Sequence, residues 1–327
     1  MSDKKQNPFA ITFGKTPELH IERTLQTQEI TNAFESDNPL SQAFVITGAR
    51  GSGKTVMLTD IAKHFSAKRD WIVIPLNPDR DMLQSFAAKL HSASGIRKSV
   101  SEKSIGFSLA GITAGIKTEA PAEDVETVLI RILKKLKEQN KKVLVTVDEA
   151  VSSQQLREFA SAFQILVRED LPVFMLMTGL YDNIKNIQNQ KTLTFLYRTP
   201  HIVLEPLNLK YVCDSYQDVF NISFAEAKKL ALLCNGYAFA YQVLGYLLWE
   251  SNKTKADSKL LREYDKYLAD FSYEKIWSEL SENDRRFLVG MVHAKTHKVS
   301  ELMDLISMPK SEFSVYRDRM KKRGLVD

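Results

Sequence analysis

The sequence has 327 residues, of which 44% are hydrophobic, so the chain can bury a sizeable core and has roughly enough residues for two domains. Its 45 basic and 40 acidic residues give a formal net charge of +5, so an interaction with nucleic acid would depend on where the charges lie. No stretch reaches the ~18 uninterrupted apolar residues that a membrane-spanning helix needs, and the N-terminal segment lacks the apolar run of a signal peptide. We therefore expect a globular protein with no membrane partner.

The two cysteines, Cys213 and Cys234, each lie in an apolar, helix-like segment. This placement favours a reducing compartment over a disulfide framework. We expect both residues to be core thiols and the protein to be cytoplasmic.

Short apolar runs alternate with helix-like segments through the first two thirds of the chain. This alternation predicts a doubly wound α/β fold with a parallel sheet. The predicted strands are 43–47, 71–76, 142–147, 172–178 and 201–207. The stretch "GFSLAGITAGIK" (106–117) alternates small or polar with apolar residues, which predicts a hairpin or edge strand. The segment "APAEDVETVLIRILKKLKEQNKK" after it predicts an amphipathic helix.

The stretch "GARGSGKT" (48–55) fits the pattern G-x-x-x-x-G-K-[ST] and lies between a predicted strand and a predicted helix. Its glycines let backbone N–H groups approach phosphate oxygens, while Lys54 would reach the β- and γ-phosphates and Thr55 a magnesium ion. The alternative is a glycine-rich turn that merely links strand and helix. We predict an ATP-binding loop formed by Gly48, Ala49, Arg50, Gly51, Ser52, Gly53, Lys54, Thr55 and Val56.

An adjacent pair of acids, Asp148 and Glu149, ends the apolar run "KVLVTV". Ligands bind at the carboxyl ends of strands in open α/β sheets. We predict that Asp148 holds Mg²⁺ through water and that Glu149 is the general base on the attacking water. The alternative is that the two acids only cap the following helix.

Two further residues are candidates for the catalytic site. Thr178 ends the run "PVFMLMT", where its hydroxyl would touch the γ-phosphate or the water, or would merely start the next turn. Arg198 lies just before the last predicted strand. It would complete a neighbouring subunit's site as an arginine finger, or would be an ordinary surface or interdomain arginine.

After residue 207 the remaining segments all indicate helices, with Gly236 as the stop of one of them. We predict three domains, which are a P-loop α/β core (1–207), a helical lid (208–270) and a winged-helix-like domain (271–327).

The last of these domains has the pattern of three helices. Ser281 is predicted to cap the first of them with Asp284 at the third position after it, and Ser311 to cap the third, which Gly324 stops. This layout is that of helix-turn-helix and winged-helix domains. A winged helix also needs a β-hairpin after "GLV", whereas the sequence ends at Asp327. Either the sequence is truncated before the wing or the wing is absent, and we expect reduced DNA affinity in both cases.

The third of these helices carries a row of basic residues. Phe313, Tyr316 and Met320 are expected to face inward. The expected DNA-binding residues on the outer face are Arg317, Arg319, Lys321, Lys322 and Arg323. The alternative is a solvated helix whose terminal cations complement the helix dipole.

The order of these parts resembles the AAA+ ATPases, most closely the branch with archaeal-type ATPases, origin-recognition-like proteins and STAND signalling ATPases. The resemblance covers nearly the whole chain, and the phosphate loop and the acid pair are its specific motifs. It implies that Thr178 is the first sensor residue and that Ile21 and Arg23 lie near the adenine.

The lid departs from that family in two ways. The stretch "CNGYAFAYQ" lacks the arginine with which many AAA+ lids touch the γ-phosphate. It also has Gly236-Tyr237-Ala238 where STAND and archaeal-type relatives have Gly-x-Pro. The lid therefore resembles that branch in its fold, but not in this nucleotide-sensing contact.

The sequence thus leads to two main hypotheses. The first is an ATP-hydrolysing AAA+-type switch coupled to duplex DNA, to a protein partner or to further copies of itself. The second is a non-hydrolysing DNA-binding or scaffold protein whose shape depends on nucleotide. A small-molecule kinase ranks third, because phosphoryl transfer to an acceptor does not require the acid pair, the lid or the C-terminal helices.

Overall fold

The computed structural model describes residues 6–12, 17–94, 124–296 and 298–326. The chain divides into two compact units. We call Arg23–Thr47 with Met57–Ile202 the sheet unit, and Met1–Glu22, Gly48–Val56 and Val203–Asp327 the loop-lid unit. The division into three domains at residues 207 and 270 stays a prediction.

Helices and strands alternate in the first two thirds of the described chain. They are α1 (Thr24–Glu35), β1 (Ala43–Thr47), α2 (Lys54–Ser66), β2 (Trp71–Leu76), α3 (Met82–Ala93), α4 (Val125–Glu138), β3 (Lys142–Val147), α5 (Gln154–Arg168), β4 (Val173–Gly179), α6 (Tyr181–Gln188), a 3₁₀-helix (Lys191–Tyr197) and β5 (His201–Val203). The strands form a five-stranded parallel sheet in the order β2-β3-β4-β1-β5, which confirms the predicted α/β fold.

Apolar side chains cover both faces of this sheet, as the continuous apolar runs predict. In β1, Ala43 and Val45 join the core that α3, α4 and α5 cover, with Phe86 and Phe159 in edge-to-face contact there. Phe44 of the same strand meets an aromatic cluster of the sheet unit. That cluster contains Phe34, Phe65, Trp71 and Phe174.

One local prediction turns out differently. The strand predicted over 201–207 ends at Val203. Pro206 has no N–H to donate, and the amide of Leu207 donates to the carbonyl of Gly236 at 2.7 Å. The hairpin predicted at 106–117 lies outside the described residues. Among the described residues, no helix is both long and apolar enough to cross a membrane.

The last third of the described chain is helical. Its elements are α7 (Leu209–Phe220), α8 (Phe224–Cys234), α9 (Ala238–Glu250), α10 (Ser258–Leu268), a π-helical turn (Ala269–Tyr273), α11 (Glu274–Ser278), α12 (Glu282–His293), α13 (Val299–Ile306) and α14 (Lys310–Lys322). Cys213 and Cys234 are buried free thiols, as predicted.

The N-terminal segment is fastened to α9. Phe9 is 2% exposed and fits against Gly245, where any Cβ would collide with its ring. The side-chain amide of Gln242 bonds the segment twice, accepting from the Ala10 amide at 3.0 Å and donating to the Leu19 carbonyl at 2.8 Å. These contacts fasten the N-terminal segment to the lid of the loop-lid unit.

The ends of the C-terminal helices agree only partly with the sequence. Ser281 and Asp284 form the predicted capping box of α12. Gly324 has φ +70° and ends α14 in a Schellman arrangement, in which the Leu325 amide donates to Met320. The predicted cap at Ser311 is wrong, because the cap residue is Pro309, two residues earlier, and α14 begins at Lys310. Proline supplies a helix-compatible φ at this point but no side-chain acceptor.

Replacing Phe9 with alanine should lower the free energy of unfolding of the loop-lid unit by about 3 kcal/mol, because a buried ring is lost and a cavity remains. Thermal unfolding followed by circular dichroism measures the change. Phe224, which is 57% exposed, provides the control, and Phe224→Ala should shift the midpoint far less. Equal shifts for the two variants would contradict the assigned packing of Phe9.

Candidate functional site

The predicted site residues divide between the two units. The loop residues Gly48–Val56 belong to the loop-lid unit, as does α14 with its basic residues, whereas Asp148, Thr178 and Arg198 belong to the sheet unit.

The predicted phosphate loop follows directly after β1 and leads into α2. It turns tightly, with the Ser52 amide donating to the Ala49 carbonyl at 3.2 Å. Gly51 and Gly53 have φ of +74° and +94°, which side chains other than glycine rarely adopt. A Cβ at Gly48 would lie 2.7 Å from Ser52 Oγ. The loop backbone therefore requires its glycines.

Positive charge and amide donors gather at this loop. The Lys54 ammonium donates to the carbonyls of Gly48 at 3.1 Å and Ala49 at 2.8 Å, so it is held over the loop itself. Lys54 also begins the 13-residue helix α2, whose first-turn amides point away from the helix body and have no intrahelical acceptor. An ammonium beside a helix N-terminus fits a phosphate group, and the exposed hydroxyl residue Thr55 supplies an oxygen of the kind that Mg²⁺ prefers.

Two residues of the lid donate hydrogen bonds to backbone carbonyls of this loop. The Tyr237 hydroxyl donates to the Arg50 carbonyl at 2.9 Å, and the Phe239 amide donates to the Gly51 carbonyl at 3.0 Å. The Arg50 guanidinium pairs with Glu279 at 2.8 Å. The sequence marked Tyr237 only as a departure from Gly-x-Pro, and no sequence signal indicated Glu279 as a partner.

Thr178 joins the two acids at the end of β3. Thr178 is fully buried, and its hydroxyl donates to Asp148 Oδ1. The Glu149 amide in turn donates to Thr178 Oγ1 and to Asp148 Oδ1, each at 3.1 Å. In the sheet register Val147 faces Met177, so the carboxyl ends of β3 and β4 lie side by side. Thr178 therefore fixes the carboxylate of one acid and the backbone of the other.

The backbone at this acid pair has an uncommon conformation. Glu149 has φ +52°, a left-handed conformation that is uncommon for a residue with this side chain. Its side chain is exposed, whereas Asp148 is half-buried. An exposed carboxylate beside a fixed one suits proton transfer and cation binding, respectively.

The remaining predicted residues belong to other elements of the fold. Arg198 is exposed and caps the 3₁₀-helix Lys191–Tyr197. Ile21 packs against the lid core of the loop-lid unit, and Arg23 precedes α1 in the sheet unit. The roles expected for these residues stay predictions.

Two of the five predicted DNA-binding residues do not lie on an outer face as expected. Arg319 bonds Asp284 Oδ1, and Arg323 pairs with Asp284 Oδ2 at 3.2 Å. Their side chains are only 29% and 17% exposed, because they compensate an aspartate that is itself fully buried. The residues of α14 on the exposed side are Arg317, Lys321 and Lys322, the last paired with Asp318. Phe313 and Met320 are buried, as predicted.

Comparisons with known proteins agree with this geometry. Residues 21–175 match the family model for the AAA ATPase domain. Over these residues the chain is similar to AAA ATPase domains. This match covers both the phosphate loop and the acid pair, and it confirms the predicted resemblance to AAA+ ATPases.

Two solved archaeal proteins share the fold over nearly the whole chain. The ORC2 protein of Aeropyrum pernix, solved as ADPNP-ADP complexes, is 13% identical with a TM-score of 0.57; the match covers 97% of this chain and 90% of that one. The Cdc6p protein of Pyrobaculum aerophilum is 14% identical with a TM-score of 0.51, at the same coverage of 97% and 90%. No curated protein matches the chain. The chain therefore has an ORC-like fold, and this likeness includes its C-terminal helices.

The buried carboxylate of Asp284 provides a test of the C-terminal helices. Burial raises the pKa of this carboxyl, but the hydrogen bonds from Ser281 and Arg319 outweigh burial and hold the pKa below its ordinary value. At pH 7, Asp284→Asn should cost about 2–4 kcal/mol of unfolding free energy, because two arginines lose their counter-charge.

The matched control is Asp318→Asn, which removes an exposed partner of Lys322 and should cost less than about 0.5 kcal/mol. A lowered pKa contributes stability above the unfolded value, and that contribution is lost as pH falls. The difference between wild type and Asp284→Asn should therefore shrink below about pH 4. Urea unfolding at pH 7 and pH 3 measures both effects, and a pH-independent difference would contradict the account.

Proposed function

We propose that this protein is an AAA ATPase that binds ATP with Mg²⁺ at the phosphate loop and hydrolyses it, and that the cycle switches the lid and C-terminal helices between states. The loop carries this proposal, because its two glycines of positive φ and the Lys54 ammonium together suit a polyphosphate. The similarly folded ORC2 protein was solved with ADPNP and ADP, which supports the same ligand class here.

Each residue of the loop would have a role set by its chemistry. The amides of Gly51, Gly53 and the first turn of α2 would donate to phosphate oxygens, while Lys54 would exchange its two loop carbonyls for the β- and γ-phosphates. Thr55 and Asp148 would hold Mg²⁺, which when bound would neutralise charge on the phosphates.

Hydrolysis would depend on Glu149 as the general base toward water. Its exposed carboxylate is attached to a backbone that Thr178 holds by the Glu149 amide, at 3.1 Å. Thr178 would therefore act by keeping Glu149 and Asp148 in place, in addition to the predicted contact with the γ-phosphate or the water. Arg198, exposed at the end of its helix, is proposed to act on a neighbouring copy as an arginine finger.

Duplex DNA is the partner that the exposed side of α14 favours. Arg317 and Lys321 are both exposed, and neither belongs to the group that holds Asp284. Two such cations would contact phosphates and make binding depend on salt. Nucleotide state would then alter DNA affinity, or a protein partner would take the place of DNA.

Rates of ATP hydrolysis and ATP affinities test the proposal. Glu149→Gln should lower turnover at least about 100-fold while ATP still binds, because the base is lost and the loop is intact. Lys54→Ala should lose most ATP affinity. Turnover that survives either change would contradict the site, and ATP binding without any turnover in the wild type would favour a non-hydrolysing nucleotide-dependent scaffold.

The same assay with duplex DNA tests the partner. DNA should stimulate wild-type turnover, and the double variant Arg317→Ala/Lys321→Ala should lose that stimulation but keep its basal rate. Stimulation that persists in the double variant would exclude this face of α14. Turnover indifferent to DNA would direct the search to a protein partner.

A further inference from the structure

Tyr237 of the lid is in direct contact with the phosphate loop. It directly precedes α9, and its phenol makes two hydrogen bonds, to the Arg50 carbonyl at 2.9 Å and to Ser272 Oγ. A phenol has a single O–H to donate. Because a carbonyl can only accept, that proton goes to Arg50, and Ser272 must donate to the Tyr237 oxygen. The bond directions along the chain Ser272, Tyr237, Arg50 are therefore fixed.

Ser272 lies in a specialised position. It is 1% exposed and belongs to the π-helical turn Ala269–Tyr273, which continues α10 with a wider turn. Such turns are rare and occur often at functional sites. Burial raises the pKa of Tyr237 to about 12, so the phenol keeps its proton at physiological pH. The chain of donors therefore stays intact there.

Anchoring the two loop carbonyls also orients the loop amides. In a trans peptide the C=O and N–H groups point in opposite directions. The Arg50 carbonyl points at Tyr237, so the Gly51 amide of the same peptide points away from Tyr237. The Gly51 carbonyl points at the Phe239 amide, 3.0 Å away, and the Ser52 amide of that peptide accordingly points the other way, to Ala49.

Tyr237 and Phe239 approach the backbone of Gly51 so closely that no side chain fits at this position. A Cβ at Gly51 would collide with the Tyr237 hydroxyl and lie 2.9 Å from the Phe239 Cβ. The loop thus packs closely against these two lid residues. Their contacts stabilise the positive φ of +74° at Gly51.

We propose that Tyr237 is a positioning residue for nucleotide, which holds the Arg50–Gly51 peptide in its phosphate-accepting orientation and is itself held by Ser272. This inference rests on the proposed function, since it concerns nucleotide at the same loop. The lid would then act on the bound nucleotide indirectly, through the backbone of the loop. Nucleotide affinity and the position of the turn Ala269–Tyr273 are then linked, because each stabilises the other through one hydroxyl.

Calorimetric titration of the full chain with ADP and with a non-hydrolysable ATP analogue, each with Mg²⁺, tests this role. Tyr237→Phe keeps the ring and removes the hydroxyl, and should weaken both ligands about fivefold to tenfold. The matched control is Tyr273→Phe, which removes the hydroxyl of a ring 6.2 Å from the Tyr237 ring and should leave affinity within about twofold.

Ser272→Ala separates positioning from general stability. It should weaken nucleotide by itself, yet add nothing in the Tyr237→Phe background, because its effect passes through that hydroxyl. Independent effects of the two changes would overturn the coupling. Unchanged or tighter binding by Tyr237→Phe would overturn the positioning role.

Hydrogen exchange without nucleotide keeps the two proposals distinguishable. Tyr237→Phe should speed amide exchange in residues 48–56, since the loop loses an anchor. If the wild type binds no nucleotide, the proposed function is wrong. The exchange rates of residues 48–56 in the wild type and in Tyr237→Phe would then decide whether Tyr237 orders the loop. A wild type that binds nucleotide, with exchange and affinity unchanged in the variant, would remove only the role of Tyr237.

Discussion

The backbone of the phosphate loop at Arg50 and Gly51 is held by hydrogen bonds from the start of α9, and the loop-lid unit is organised around this attachment. Gly51 must be glycine for two separate reasons, its φ of +74° and the approach of Tyr237. Loop backbones of this kind bind phosphate by presenting amides, so whatever fixes the carbonyls also fixes the ligand-binding groups. The lid is thereby part of the proposed phosphate site.

The contacts around this attachment differ in their energetic weight. The Arg50–Glu279 pair is about one third exposed on both sides, and such surface pairs contribute little. The Tyr237 and Ser272 hydroxyls are largely buried, so a lost partner leaves a polar group without water to replace it. By the same reasoning, the buried carboxylate of Asp284 with its two arginines contributes more to stability than the exposed pair of Asp318 and Lys322.

The sequence was informative where a local pattern has one physical meaning. Continuous apolar runs mark strands buried on both faces, and "GARGSGKT" between a strand and a helix requires glycines where φ is positive. It was uninformative where a partner is distant in the chain. Nothing local to Tyr237 indicates Arg50 or Ser272, and nothing in α14 distinguishes Arg319, which turns to Asp284, from Arg317. The cap of α14 was predicted two residues too late, at Ser311, because Pro309 is the cap residue and the helix begins at Lys310.

Hydrogen exchange of the full chain, with and without a non-hydrolysable ATP analogue and Mg²⁺, tests most directly whether loop and lid act together. The account predicts that nucleotide slows exchange in the loop and also in the first turn of α9 and the turn Ala269–Tyr273, because the hydroxyl of Tyr237 joins them. Protection confined to residues 48–56, with the lid unchanged, would contradict it.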